Sequence, residues 1–255
     1  MERPAEKMSM MLNRLREEVC QANKMLPVLG LVSMHSGNVS GLDRNSGRLV
    51  IKPSGMDYDR LTPEMLVEVD VITGEVIRGD LKPSVDLPHH LYLYRHDPSI
   101  CGVVHTHSNY ATAFAAVHET ILLCLTAISD EFGGAIPCTP YVDNLGDNIG
   151  KALLQYRTQA PAVLLGNHGV FAWGDSAKSA LKAAAMTEDV AKTVHLARQI
   201  GQLRMLPAEE AAKWYGRYHS TYGQPGVVAP VNPLRIANPA SDEEAPDAPL
   251  WREAA

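Results

Sequence analysis

The sequence has little of what marks nucleic-acid-binding, membrane or secreted proteins. It contains no long basic run, and its 23 lysine and arginine residues are outnumbered by 29 aspartate and glutamate residues, giving a net charge of −6. No segment approaches the roughly 18 uninterrupted apolar residues that suggest a membrane-spanning helix. The first residues contain no apolar segment like that of a signal peptide. We therefore expect no nucleic-acid partner, no membrane partner and a cytoplasmic location.

Reactive-cysteine patterns and nucleotide-binding signatures are also missing. The four cysteines are far apart and form no CxxC pair, so we expect reduced thiols that pack as small apolar side chains. The chain contains neither a P-loop nor a GxGxxG fingerprint, which argues against a nucleotide site. It also lacks a GxSxG motif and a Cys–His signature, which argues against serine and cysteine hydrolases.

Short strands, hairpin turns and helices alternate irregularly along the chain. Helices are predicted over 5–26, 86–97, 109–118 and 176–200, and strands within 31–53, 63–78, 100–105 and 162–173. A length of 255 residues suits one domain. The frequent hairpin signals favour a mixed sheet with helices on its faces over a repeated βαβ series.

The composition changes at residue 225. The last 31 residues contain six prolines and the acidic run SDEEAPD. Such a segment has too little apolar surface to form a core. The sequence therefore predicts a folded domain over 1–224 and a disordered tail over 225–255.

A group of histidines is the strongest local signal for function. His105 and His107 alternate along a predicted apolar strand, so their side chains face the same way. His168 lies in GNHG between two apolar strands, where glycine lets the backbone approach a site closely. Asp86 lies at a predicted helix start. Three imidazoles and a carboxylate suit Zn²⁺, and less decisively Mn²⁺, Fe²⁺ or Co²⁺.

Spacing alone leaves the ligand set open. His89, His90 and His118 compete as ligands, and a pair of locally hydrogen-bonded histidines is the alternative interpretation of His-x-His. If a divalent ion with an open coordination position binds here, it can polarise a carbonyl and stabilise an enediolate.

Three short segments are rich in Ser, Gly, Asn and Lys and lie at or next to predicted strand ends: HSGNVS (35–40), IKPSGMD (51–57) and LKPS (81–84). Backbone N–H groups and hydroxyls in such segments form anion-binding nests, and lysine adds charge. Ordinary turns are the alternative interpretation.

Six motifs, in order, resemble one family: SGNVS, KPSG, KPSVD, HTH, AIPC and GNHGVFAWG. The family is that of the class II aldolases, and within it the resemblance is closest to the L-ribulose-5-phosphate 4-epimerases. It runs from about residue 8 to residue 224. It implies an α/β fold with three layers, α/β/α, around a mixed, mostly antiparallel sheet. It also implies a homotetramer with sites between subunits, one divalent metal per subunit and a sugar-phosphate substrate.

The resemblance assigns roles to individual residues. The positions that match the family's metal ligands are Asp86, His105, His107 and His168, and those that match its substrate and phosphate loops are Asn38, Lys52, Ser54, Gly55 and Ser84. Asp130 and Tyr222 match the acid/base pair, which is expected to reach the site of a neighbouring subunit. Aldolases of the family tend to have Glu where this chain has Asp86, and this difference favours an epimerase.

The activity implied is epimerisation of a ketopentose phosphate at C4 by breaking and re-forming the C3–C4 bond. A sugar-phosphate aldolase of the L-fuculose-phosphate type and a β-keto acid decarboxylase are alternatives on the same fold. A non-catalytic scaffold is an alternative of another class, but it would be expected to have lost the histidines.

The sequence departs from the epimerase pattern in three places. Val85 stands where the phosphate loop usually has a second serine, so we expect weaker phosphate binding or a different substrate. The segment after Pro140 is shorter, and Trp214 stands where a histidine usually precedes the terminal tyrosine. These differences indicate a family member with an altered substrate range.

Overall fold

The computed structural model describes residues 4–222, and the predicted tail over 225–255 lies outside the described residues. The helices are α1 (Pro4–Val28), α2 (Leu87–His96), α3 (Asn109–Ala116), α4 (Thr126–Phe132), α5 (Asn148–Gln155), α6 (Ala177–Ile200) and α7 (Ala208–Tyr218), with a 3-10 turn at Pro63–Met65. The strands are β1 (Asn38–Asp43), β2 (Arg48–Ile51), β3 (Val67–Asp70), β4 (Val76–Arg78), β5 (Gly102–Thr106), β6 (Cys138–Tyr141), β7 (Ala162–Gly166) and β8 (Gly169–Gly174).

The eight strands form one mixed sheet. Their order is β4-β3-β2-β1-β5-β8-β7-β6. Every neighbouring pair is antiparallel except β6 and β7, which run parallel. The prediction of a mixed, mostly antiparallel sheet is therefore confirmed.

Helices cover both faces of the sheet. Successive strand residues point to opposite faces, so Val104 packs with α1, α3, α4 and α6, whereas Val103 packs with α2 and α5. On β2, Val50 packs on the same face as Val104, and Leu49 packs on the same face as Val103. The two separate apolar cores confirm the three-layer α/β/α architecture.

The long helices and hairpins agree with the sequence predictions, but four short elements had no sequence signal strong enough to predict them: α4, β6, α5 and α7. β6 has only four residues, includes Pro140 and pairs only with β7. A strand of that kind is restricted to a sheet edge because proline cannot donate a ladder hydrogen bond. Within residues 4–222, no helix is both long and apolar enough to cross a membrane.

The sheet register brings several chain segments to one edge. Asn38 at the start of β1 pairs with His105 near the end of β5. On the other side of β5, Thr106 pairs with Val170 at the start of β8. The end of β2 lies next to the start of β1, where Ser40 pairs with Ile51. The segments that leave these strand ends therefore meet above the middle of the sheet.

Candidate active site

Three histidines converge at this edge. His105 lies on β5, His107 directly follows that strand, and His168 lies in the turn between β7 and β8. One ring nitrogen from each lies within 4.8 Å of the others. The two Nε2 atoms of His105 and His107 are 3.0 Å apart. The predicted cluster therefore forms in the folded chain.

The turn that carries His168 is tightly built. Asn167 has a positive φ of 57°, and its backbone N–H donates to the Ala115 carbonyl at 3.0 Å. A Cβ on Gly169 would lie 2.5 Å from the Thr106 carbonyl oxygen, so only glycine fits there. His118 hydrogen-bonds the Asn167 side chain. His118 therefore supports the turn and does not belong to the cluster.

His89 and His90 are also bound elsewhere. His90 is fully buried, and its Nδ1 is 2.7 Å from the Ser40 hydroxyl. His89 contacts the side-chain oxygen of Asn144 through Nε2. Among the described residues, the group of ligand atoms that could hold a metal ion therefore consists of His105, His107 and His168.

The protonation of the cluster suits metal binding, since a metal needs neutral imidazoles. Burial lowers the pKa of His105 to about 4, and burial also lowers the pKa of His107 and of His168. His105 Nδ1 is 2.9 Å from the Val170 carbonyl oxygen. It must donate there, which leaves the Nε2 lone pair directed at the cluster.

Asp86 occupies the residue before α2, with its side chain buried. Asn38 Nδ2 donates to Asp86 Oδ2 at 2.6 Å and to Ser84 Oγ at 3.0 Å. Burial alone would raise the pKa of Asp86, but its electrostatic interactions with His105 and His90 and the hydrogen bond from Asn38 outweigh burial, and the pKa lies below its ordinary value. Asp86 is thus an ionised carboxylate beside the cluster, although the group of ligand atoms within 4.8 Å consists of the three histidines alone.

The two Lys-Pro-Ser tripeptides pair with each other. Ser54 N donates to the Lys82 carbonyl and Ser84 N donates to the Lys52 carbonyl, both at 3.0 Å, with Pro53 opposite Pro83. The pairing places Ser54, Gly55 and Ser84 side by side.

Lys52 is buried beneath these loops. Its Nζ donates to the His35 carbonyl at 3.3 Å and lies 4.7 Å from the centroid of the Tyr58 ring. The Tyr58 hydroxyl lies 2.7 Å from the Ser36 carbonyl and 2.9 Å from that of Gly37, and so ties down the first loop. Burial lowers the pKa of Lys52 to about 8.

One cavity of about 260 Å³ joins the histidines to the loops. Nine of the eleven predicted site residues line it: Asn38, Lys52, Ser54, Gly55, Ser84, Asp86, His105, His107 and His168. His35 and Asn144 line it too. The sequence analysis included His35 in the segment HSGNVS without giving it a role of its own, and it did not mention Asn144, which lies in a segment without a recognised motif.

Comparisons with known proteins decide the family. A model of the class II aldolase and adducin N-terminal domain matches residues 17–195, more than half of the chain. The chain belongs to the class II aldolase family.

Several solved structures are similar to this family member. An L-fuculose 1-phosphate aldolase is 27% identical, with a TM-score of 0.72, and the match covers 80% of this chain and 96% of that chain. YgbL from Klebsiella pneumoniae, described as a candidate aldolase/epimerase/decarboxylase, is 31% identical, with a TM-score of 0.68 and coverage of 80% and 98%. YgbL from Escherichia coli is 30% identical, with a TM-score of 0.68 and coverage of 80% and 99%.

Class II aldolases use a divalent metal, and the histidines of this chain fit one. Two ligand nitrogens on one tetrahedral Zn²⁺ lie roughly 3.3 Å apart, and the Nε2 atoms of His105 and His107 are 3.0 Å apart. The prediction of an enzyme is confirmed.

Asp130 and Tyr222 lie away from this cavity. Asp130 is on α4, and Tyr222 follows α7, where its exposed ring stacks on Tyr218 with centroids 4.9 Å apart. Lys182 forms an ion pair with Glu131, the neighbour of Asp130, at 2.6 Å, and its Nζ lies 4.7 Å from the centroid of the Tyr218 ring. The two predicted acid/base residues therefore share one corner of the chain.

Proposed function

We propose that this class II aldolase family member breaks and re-forms the C–C bond next to the carbonyl of a phosphorylated ketose. One observation carries the proposal: three imidazoles, a buried carboxylate and the paired Lys-Pro-Ser loops line the same cavity. Retro-aldol chemistry needs charge stabilisation at a carbonyl and a fixed anionic group that positions the substrate, and the two ends of the cavity are suited to these tasks.

In this proposal the loops bind the phosphate. Lys52 provides the charge, the hydroxyls of Ser54 and Ser84 donate hydrogen bonds, and the Gly55 backbone turns with a φ of 65° so that its N–H can face an anion. Asn38 Oδ1 is buried without a partner among residues 4–222. An unpaired buried acceptor is costly, so we propose that it accepts a hydrogen bond from a substrate hydroxyl.

We propose that one divalent ion per subunit, Zn²⁺ by preference, is held by His105, His107 and His168, with Asp86 as a fourth ligand. A bound ion supplies stabilisation for the negative charge that develops on the carbonyl oxygen. Mn²⁺, Fe²⁺ and Co²⁺ are alternatives because imidazole also suits those ions.

Asp130 and Tyr222 are proposed as the acid/base pair of a neighbouring subunit's site, in a cytoplasmic homotetramer. Their shared corner outside the chain's own cavity supports this arrangement. One of the two would remove the proton of the C4 hydroxyl, and the other would return a proton on the opposite face after the aldehyde rotates. Each acid/base group contributes roughly 10²- to 10⁴-fold to the rate.

The proposed outcome is inversion at C4 of a ketopentose phosphate, because Asp86 stands where aldolases of the family tend to have Glu. Net cleavage is the second candidate, and the similarity to an L-fuculose 1-phosphate aldolase favours it. Decarboxylation of a β-keto acid shares the same charge stabilisation and differs in the fragment that leaves.

Product analysis tests the proposal. Metal-loaded protein is incubated with a panel of ketose phosphates, and carbon NMR distinguishes an epimer from aldehyde fragments. Epimer with little free aldehyde supports epimerisation, whereas stoichiometric fragments without epimer establish cleavage. A panel that stays unchanged, with metal bound, would reject both. The double variant His105→Ala, His107→Ala is the matched inactive control.

A further inference from the structure

Asn144 is the one residue from the segment after β6 that lines the cavity. Its loop is held on both sides, because Asp143 Oδ1 accepts hydrogen bonds from Leu145 N at 3.0 Å and from Asn148 Nδ2 at 2.8 Å. The backbone at Asn144 is therefore restrained next to the cavity.

A buried histidine orients the Asn144 side chain. His89 on α2 is 1% exposed, packs edge-on against Phe171, and contacts Asn144 Oδ1 through its Nε2. His89 Nδ1 is buried without a partner among the described residues. A protonated Nδ1 would bury an unpaired donor, so the proton belongs on Nε2, which donates to Asn144. Within residues 4–222, the two N–H groups of the Asn144 amide then have no hydrogen-bond partner.

Asn144 enters the cavity from the β6 end of the sheet, whereas the loops next to β1 and β2 enter it from the other end, and Asn144 meets α2 at His89, three residues after Asp86. Those loops follow β2 and precede β1 and α2, whereas Asn144 follows β6 at the opposite edge, with β5, β8 and β7 between. The histidine cluster rises from β5 and from the β7–β8 turn, between the two. A ketose held by its phosphate with its carbonyl at the cluster therefore directs its other end toward Asn144.

We infer that Asn144, oriented by His89, is a specificity-determining residue that donates a hydrogen bond to the C1 hydroxyl of a ketopentose 5-phosphate. The inference rests on the proposed function. Asn144 contacts the substrate in this arrangement, and His89 is a positioning residue that acts only through it.

The test compares a ketopentose 5-phosphate with its 1-deoxy analogue on the metal-loaded protein, by KM and by calorimetric Kd. Loss of one neutral hydrogen bond corresponds to roughly 3- to 10-fold in KM or Kd. Asn144→Ala should show that rise for the hydroxylated compound and leave the deoxy analogue within about 2-fold. Asn144→Asp still accepts from His89 but has no donor, so it should lose at least as much.

His89→Phe separates positioning from contact. It keeps an aromatic ring against Phe171 but cannot hold Asn144, so it should reproduce the Asn144→Ala effect with metal content unchanged. The double variant should be no worse than either single variant, because the two residues act as one unit. Leu145→Ala, an exposed change in the same loop, is the control and should leave both constants unaltered.

Two results would overturn the inference in distinguishable ways. If wild-type protein binds neither compound, the proposed activity on a ketopentose phosphate and the inference both fall. If wild type binds the ketopentose phosphate but the Asn144 and His89 variants treat both compounds as wild type does, the inference alone is wrong.

Discussion

Replacing Lys52 with methionine tests what the buried ammonium group does to folding and to binding separately. Lys52 is 2% exposed, and burial lowers its pKa from 10.5 to about 8, although Asp57 and Asp86 act to raise it. A lowered lysine pKa means that the folded protein disfavours the charged form. Lys52 is therefore expected to destabilise the fold at neutral pH while it supplies the charge that the phosphate needs.

The size of the destabilisation follows from the pKa change. Below pH 8 the charged form is present in both folded and unfolded chains and the full penalty applies, roughly 3 kcal/mol as an upper value. The penalty decreases as the pH rises from 8 to 10.5, because the folded chain has already lost the lysine proton in this range. Above pH 10.5 the unfolded chain has lost it too, and the penalty is gone. Methionine has a similar length and no charge, so Lys52→Met should raise the free energy of unfolding by about 1–3 kcal/mol at pH 7. The gain should vanish near pH 10.5.

Substrate binding should change in the opposite direction. A hydrogen bond to a charged group contributes about 1.5–3 kcal/mol, so the variant's KM for a phosphorylated ketose should rise roughly 10- to 150-fold. The KM for the unphosphorylated ketose should stay unchanged. In wild type, the KM for the phosphorylated ketose should rise above about pH 8, as Lys52 loses its proton, and the variant should not show that rise.

Urea titrations at pH 7 and pH 10.5 measure the free energy of unfolding. Steady-state kinetics with the phosphorylated and the unphosphorylated ketose measure KM. Lys82→Met is the matched control, because Lys82 is the exposed lysine of the second Lys-Pro-Ser tripeptide and should change neither quantity much. A Lys52→Met protein that is less stable than wild type at pH 7, or that keeps a normal KM for the phosphorylated ketose, would refute the reasoning.

Four further outcomes are expected. His105→Ala, His107→Ala should remove both metal and turnover, and stoichiometric metal in the folded double variant, measured by mass spectrometry, would contradict the metal site. Val85→Ser adds a hydroxyl beside the phosphate loops and should lower the KM for a phosphorylated ketose; an unchanged KM in the same kinetic assay would indicate an unphosphorylated substrate. Tyr222→Phe should keep fold and metal but lower kcat roughly 10²-fold or more, whereas near-normal kcat would remove the phenol from the mechanism. Glu188 accepts two backbone N–H groups at the start of α3, so Glu188→Ala should lower the free energy of unfolding by about 1–3 kcal/mol in urea titrations, with Glu188→Gln intermediate.

Short-range patterns in the sequence predicted much of this site. The alternation of His105 and His107 on a strand determines that both rings face one way, whatever the strand packs against. The sequence predicts two apolar strands interrupted at GNHG, and their antiparallel pairing next to β5 presents His168 at the same sheet edge. These predictions hold because each depends on the geometry of a few consecutive residues.

Other features depend on contacts between distant segments. The pairing of the two Lys-Pro-Ser tripeptides joins residues about thirty positions apart, and neither tripeptide carries a signal for the other. His118 has the same ligand chemistry as His168, but in the fold it contacts the Asn167 side chain and does not belong to the cluster. Some side chains can serve several roles. The role that such a side chain takes depends on which partner the fold brings within hydrogen-bonding distance.

The sequence by itself determined that a mixed sheet has helices on its faces and that His105 and His107 face the same way, since local periodicity and turn chemistry are sufficient for these. The family motifs added the three-layer architecture and the choice of His168 as the third histidine. Only the tertiary structure decided that Asn38 holds Asp86, that His89 holds Asn144 at the cavity, and that Asp130 and Tyr222 lie at a corner away from it. These relations depend on strand order and helix packing, and strand order depends on contacts across the whole sheet rather than on any one segment.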